Sequence, residues 1–258
     1  MTPSEIKAAR EKYSYVPARL IRASDHVAAD LSWKSIKLIM DVPKGWDDTH
    51  LQTRLQYSSC KLDNFHGKLL QSENDDDLVQ GLLSVVFWGF SSGADGRLNV
   101  RRALSRARAI VFGRKNAPPQ PENEIIAHIR RSRELLHASR IAEALLEAEQ
   151  IKYLQMSFAS KLLTFMSPKS AAVYDAIISS RLEKEPDPEL RSLFVSTRIP
   201  TSKAAKLSQA TIYAAWCEWC AKMATDLNAK GVNWLDWNGA AKSWRAVDVE
   251  RAFFALGR

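Results

Sequence analysis

The chain is poor in several things, and each shortage excludes a class. No apolar run approaches the ~20 residues that a membrane-spanning helix needs. The opening residues, Met1 to Lys7, lack the basic-then-apolar pattern of a secretory signal. Three cysteines, Cys60, Cys217 and Cys220, are too few for a disulfide scaffold and fit a reducing compartment. Glycine and proline number 10 each, which excludes low-complexity and collagen-like chains. Strand-type alternation is scarce. The turn Gly89 to Gly96 has three glycines but no G-x-x-x-x-G-K-[ST], so a nucleotide-binding loop is not expected. Cys217-Glu218-Trp219-Cys220 has C-x-x-C spacing, but no second pair completes a zinc or iron–sulfur site. The two thiols fall on the apolar stripe Tyr213, Trp216, Cys217, Cys220, Met223, Ala224, Leu227, which makes them core residues. No metal and no cofactor are expected. The protein is expected to be cytoplasmic, with no membrane association.

What is present is helical periodicity and positive charge. The 258 residues are 46% hydrophobic, enough for one large domain or two lobes. The formal charge of +8 and the pI near 9.4 favour a polyanionic partner. Helices are expected over Ser4–Tyr13 with Ser4 as N-cap, Leu78–Phe90 after the acidic start Asn74–Asp77, Asn99–Phe112, and Glu122–Gln150 as one helix or two. Further helices are expected over Ser208–Asn228 and Val247–Leu256. Trp33 to Met40 reads as a short helix or strand, and Trp234, Trp237 and Trp244 lie in a connection. The fold class is all-α.

One stretch carries chemistry. Ser157 reads as the N-cap of a helix beginning at Phe158, which puts Lys161 near its first turn. A positive helix end and partial burial both disfavour an ammonium, and a neutral amine can attack a sugar carbon. Pro168 ends that helix. Asp175, 14 residues after the lysine, precedes an apolar helical segment and reads as its N-cap. A carboxylate held there suits stabilising an oxocarbenium-like sugar. The bland alternative is a solvated lysine and a plain helix cap.

The block Ala159-Ser160-Lys161-Leu162-Leu163, Pro168, Val173-Tyr174-Asp175 resembles the helix-hairpin-helix DNA glycosylases, in particular the 8-oxoguanine-glycosylase-like bacterial branch. Phe87-Trp88-Gly89-Phe90 with Arg101-Arg102-Ala103-Leu104, and Val247 to Phe254, are also similar to segments of that branch. The resemblance implies a two-lobed helical fold with a hairpin and an interlobe cleft. It places a central lobe at about 78–170, the hairpin at about 140–166, and a second lobe built from the N-terminal segment and about 175–258. It implies Lys161 as nucleophile and Asp175 as catalytic carboxylate. The family hairpin turn is glycine-rich, whereas Leu154 to Ser160 has no glycine.

The implied activity is hydrolysis of the N-glycosidic bond of a flipped base, with abasic-site lyase activity if Lys161 attacks. The partner is double-stranded DNA carrying a damaged or modified base, bound by a monomer. The base is oxidised guanine or a modified pyrimidine of foreign, phage DNA. The second choice would place the protein in antiviral defence rather than housekeeping repair. Arg97, Arg101, Arg102 and Arg106, with Ser157 and Ser160, are expected at phosphates. Arg130, Arg131 and Arg133 form a second basic cluster. Trp88, Trp216, Phe253 and Phe254 are expected at the base. The alternatives are a non-catalytic helical DNA-binding module and a protein-interaction module with solvated basic faces.

Overall fold

The computed structural model describes residues 2–43, 55–92 and 98–256. Arg97 lies outside the described residues, as do residues 93–96 of the Gly89–Gly96 turn. Eleven helices dominate the described residues: α1 Pro3–Lys12, α2 Ser59–Leu70, α3 Asp75–Ser91, α4 Val100–Phe112, α5 Glu122–His137, α6 Ile141–Ala148, α7 Met156–Met166, α8 Ala176–Glu183, α9 Pro188–Arg191, α10 Lys203–Ala229 and α11 Ala246–Leu256.

The fold is mostly helical but not purely so. Strands β1 (Arg19–Arg22), β2 (Leu31–Trp33) and β3 (Ile36–Asp41) form an antiparallel sheet in the order β1-β3-β2. The segment from Trp33 to Met40 is therefore strand, turned at Lys34 with a positive φ. Ile36 and Leu38 point inward while Lys37 faces solvent, a period of two over too few residues to stand out in sequence. A two-stranded hairpin, β4 (Trp234–Leu235) and β5 (Ala241–Lys242), holds the tryptophan-rich connection.

Helix boundaries follow from caps. Thr2, not Ser4, caps α1, in a capping box with Glu5. The Asn74 side chain accepts from Asp77 N and starts α3 beneath three aspartates, whose charge suits a helix N-terminus. The expected Glu122–Gln150 helix is split, with Ser139 at φ +58 between α5 and α6.

Helix α3 is the central beam. Leu78 to Trp88 is buried on every side, which marks a helix enclosed by others. Helices α2, α4 and α7 and strand β1 pack against it. The two ends of the chain meet, because α1 packs along α11. A buried ionic network locks that junction. Arg10 donates to Asp248 at 3.0 Å and to Ser59 at 2.7 Å, and its guanidinium lies 3.6 Å from the Trp234 ring. Arg251 grips both oxygens of Asp63, and Arg245 joins Asp63 to Asp248. Asp236 receives Ser58 and Ser59.

Candidate active site

Helix α7 begins at Met156, two residues earlier than the sequence pattern suggests. Gln155 is its N-cap and makes no side-chain cap bond. Ser157 therefore sits inside the first turn rather than capping it, and Lys161 falls in the second turn. The field of the helix end decays within one turn, so it acts on Lys161 less than the expected start at Phe158 implied. Lys161 is nonetheless placed firmly. It is 6% exposed, and its Nζ donates to Ser157 O at 3.3 Å.

Asp175 caps α8. Its Oδ1 accepts from Ile177 N at 3.0 Å and Ile178 N at 3.2 Å. Its other oxygen, Oδ2, is 3.4 Å from Lys161 Nζ. One oxygen is thus spent on the helix while the other faces the amine. The pair is mostly buried, with side chains 8% and 17% exposed.

The approach to Asp175 is fixed from three sides. Ser160 Oγ accepts from Tyr174 N at 3.0 Å, so the residue before the lysine clamps the residue before the aspartate. Tyr174 Oη donates to Leu193 O at 2.9 Å and accepts from Val195 N at 2.8 Å. Trp216 Nε1 on α10 donates to Val173 O at 3.0 Å. Ser160 is fully buried in this role and faces Tyr174, not the surface where a phosphate would lie. Trp216 is likewise a core clamp, stacked on Trp219 and edge-on to Phe253. Cys217 and Cys220 are buried free thiols, and burial pushes Cys217 up to about 12.

Beside the pair lies a cavity of about 20 Å³. Tyr13, Tyr15, Trp88, Lys161, Asp175, Glu250 and Phe254 are among the residues that line it. It has room for one water, far below the roughly 300–1,000 Å³ of ordinary ligand pockets. Of the four aromatic residues expected at the base, Trp88 and Phe254 line this cavity, while Trp216 and Phe253 do not. Tyr13, Tyr15 and Glu250 were not singled out in the sequence. The motif Tyr-x-Tyr after α1 is a weak signal, and nothing local marks Glu250.

A separate groove on α4 is strongly basic. Arg101, Arg102, Arg106, Arg108 and Arg114 line a groove of about 790 Å³ along α4, ending at the half-exposed Phe112. Arg102 and Arg106 each place a guanidinium 5.3 Å from the Phe90 ring centre. Phe90 stacks on Phe158 at 4.2 Å, and Lys161 Nζ lies 5.3 Å from the Phe158 ring centre. The arginine face and the lysine are thus linked through two stacked rings. Gly89 allows this closeness, since a Cβ there would meet Phe158 at 2.6 Å and Lys161 at 3.2 Å. The second basic cluster is differently employed. Arg130 pairs with Asp75, Arg133 with Glu73 and Arg131 with Glu134, so these arginines stitch α5 to the start of α3 or to their own helix.

The helical body thus buries a lysine–carboxylate pair at a helix start, with aromatics beside it and an arginine-lined groove along α4. A family model described as "Putative 8-oxoguanine DNA glycosylase OGG-like protein" matches residues 65–254. The chain belongs to this family of OGG-like DNA glycosylases. No curated protein and no solved structure matches the chain. No described helix is long and apolar enough to cross a membrane.

Proposed function

We propose that this protein is a DNA glycosylase that removes a damaged or modified base from double-stranded DNA, using Asp175 and Lys161. The observation that carries the reading is the 3.4 Å approach of Lys161 Nζ to the free oxygen of Asp175 at the wall of an aromatic-lined cavity. As the C1′–N bond breaks, positive charge grows on the sugar. Asp175 Oδ2 stabilises that charge. The Lys161 amine then adds to C1′ and loses a proton, and breaking of the C1′–O4′ bond, with O4′ taking up a proton, opens the sugar to the Schiff base from which strand cleavage proceeds.

Helices α6 and α7 act as the helix-hairpin-helix element, offering first-turn N–H groups near Ser157 to a backbone phosphate. Tyr153 takes the left-handed conformation just before this turn, at φ +70. Its ring is held by Arg114 at 4.4 Å and its Oη donates to Ala117 O at 2.9 Å, which offsets the backbone strain. The central lobe, about 78–170, and the second lobe flank a cleft that receives the duplex, with the α4 arginines on phosphates. The protein acts as a monomer. The 20 Å³ cavity must widen to admit a base, and Tyr15, Trp88 and Phe254 are the side chains whose movement would do it.

The test is abasic-site formation on duplexes carrying oxidised guanine and on phage genomic DNA with modified pyrimidines. The expected result is base release by the wild type and none by Asp175→Asn. Borohydride trapping of a covalent complex that Lys161→Gln abolishes supports the lysine's attack. Abasic sites without trapping assign the hydrolytic step to water. Product unaffected by Asp175→Asn would reject the site. Salt-sensitive binding without base release from any substrate would favour the non-catalytic module.

A further inference from the structure

Among the described residues, Glu250 is a buried carboxyl that joins no ion pair. It lies on α11 one turn before Phe254, and both residues line the cavity that holds Lys161 and Asp175. It is 3% exposed, and no hydrogen bond from a described residue reaches its carboxyl. Its neighbours Asp248 and Arg251 are committed to the network with Arg10, Arg245 and Asp63. The same cavity is lined by Trp88, whose Nε1 is buried without an acceptor. A buried N–H is rarely left without an acceptor, so Trp88 Nε1 beside the Glu250 carboxyl points to a ligand that would fill the cavity.

We propose that Glu250 is the proton donor to the departing base, with Trp88 Nε1 donating a hydrogen bond to an acceptor on that base. The proposal rests on the glycosylase reading. The C1′–N bond breaks with its electron pair leaving on the base. The Glu250 O–H bond breaks, its proton passes to the base, and a carboxylate remains. The sugar cation left beside Asp175 is captured by water or by the Lys161 amine. The proton released in that capture passes to solvent, from which Glu250 is reprotonated.

The titratable groups around Glu250 are Arg10 on α1 and Tyr13 at its C-terminal cap, Lys161 on α7, Asp175 at the start of α8, Tyr213, Cys217 and Cys220 on α10, and Arg251 on its own helix. Burial outweighs the cations and pushes Glu250 up to about 8, so the proton is in place at neutral pH. A carboxylic acid held neutral beside a second carboxylate is the arrangement by which glycosidic bonds are cleaved with acid assistance.

The experiment measures single-turnover base release against pH. The probes are an 8-oxoguanine duplex and phage DNA containing hydroxymethylcytosine. The proteins are wild type, Glu250→Gln, Glu250→Asp and Asp175→Asn. The wild-type rate is expected to fall tenfold per pH unit above about 8. Glu250→Gln should be slower by about 10²–10⁴-fold and lose that alkaline limb. Glu250→Asp should recover part of the rate. A Glu250→Gln rate near wild type, or one that keeps the limb, overturns the proton-donor role; abolition by Asp175→Asn in the same assay leaves the glycosylase reading standing. No release from either probe by the wild type removes both. A substrate-free measurement closes the gap: the infrared carbonyl band of a protonated carboxyl at pH 7, lost in Glu250→Gln. Its absence from the wild type overturns the proposal even if activity falls.

Discussion

Single residues carry separable roles here, because charge, cap and packing do not coincide in one atom. Asp175 uses one oxygen as a helix cap and keeps the other toward Lys161. Asparagine caps a helix as well as aspartate does. Asp175→Asn should therefore keep its melting temperature while base release disappears. Asp175→Ala should lose the same activity and about 1 kcal/mol of stability besides, read by denaturant unfolding. Gly89 makes the opposite case, since its role is space. Gly89→Ala should displace Phe158 and with it Lys161, lowering base release and borohydride trapping well before the fold is lost.

Two buried titratable residues set the stability profile from opposite sides. Burial lowers His66 to about 3, so the folded state stays neutral while the unfolded chain takes a proton below about 6.5. Stability is lost on acidification across that window. Glu250, raised to about 8 from 4.5, holds its proton in the folded state after the unfolded chain has released it. Its contribution is fullest below 4.5 and declines as pH rises to about 8. Melting curves should show Glu250→Gln gaining on the wild type between pH 5 and 8, by at least roughly 4 °C at the top of that range. An equal Tm difference at both ends would contradict the buried, protonated carboxyl.

At the scale of elements, the site is assembled by helix starts and by the clamp on residues 171–175. Helix α7 brings the lysine, α8 the aspartate, and α11 brings Glu250 and Phe254. Glu250 and Phe254 on α11 line the cavity, and Arg251 borders it while gripping Asp63 in the α1 junction. Asp248 and Arg251 join Arg10, Asp63 and Arg245 in the ionic network, which fixes the helix that carries Glu250. Burial alone would raise Asp63, but Arg251 and Arg245 outweigh it and hold it below the usual carboxylate range. Removing one member strands buried charge. Asp63→Asn should cost about 3–5 kcal/mol in denaturant unfolding. A cost near that of a surface ion pair would show that water reaches the network.

Across the whole molecule, the basic excess is unevenly spent. The α5 arginines are paired with acids, whereas Arg101, Arg102 and Arg106 border an open groove, and Arg102 and Arg106 contact Phe90, which stacks on the Phe158 ring near Lys161. Duplex affinity should fall steeply with salt. Replacing Arg101 and Arg106 by Ala together should flatten the log–log slope by about 2, one unit for each phosphate contact removed. Replacing Arg130 and Arg133 should leave that slope unchanged and lower stability instead. A slope indifferent to the α4 pair would move the DNA path elsewhere.

The sequence by itself determined the helical class, most helix ends, the cap at Asp175 and the basic α4 face. These depend on periodicity, local capping chemistry and composition, which neighbours in the chain can express. It also contained the Lys–Pro–Asp block whose family model spans residues 65–254. The small β1-β3-β2 sheet was hidden because its strands are short and only half buried. The tertiary structure alone decided which aromatics meet the pair. Trp216 and Phe253 went to the core, while Tyr13, Tyr15, Trp88 and Phe254 went to the cavity. It alone set Ser160 on Tyr174 and paired the second arginine cluster with acids. Glu250 shows the reason. In sequence it is one acid in a mixed helix. Only the packing of α1, α8 and α10 around α11 strips it of water and sets it beside Lys161 and Asp175. Burial and long-range proximity are properties of the folded chain, and the chemistry of this site follows from both.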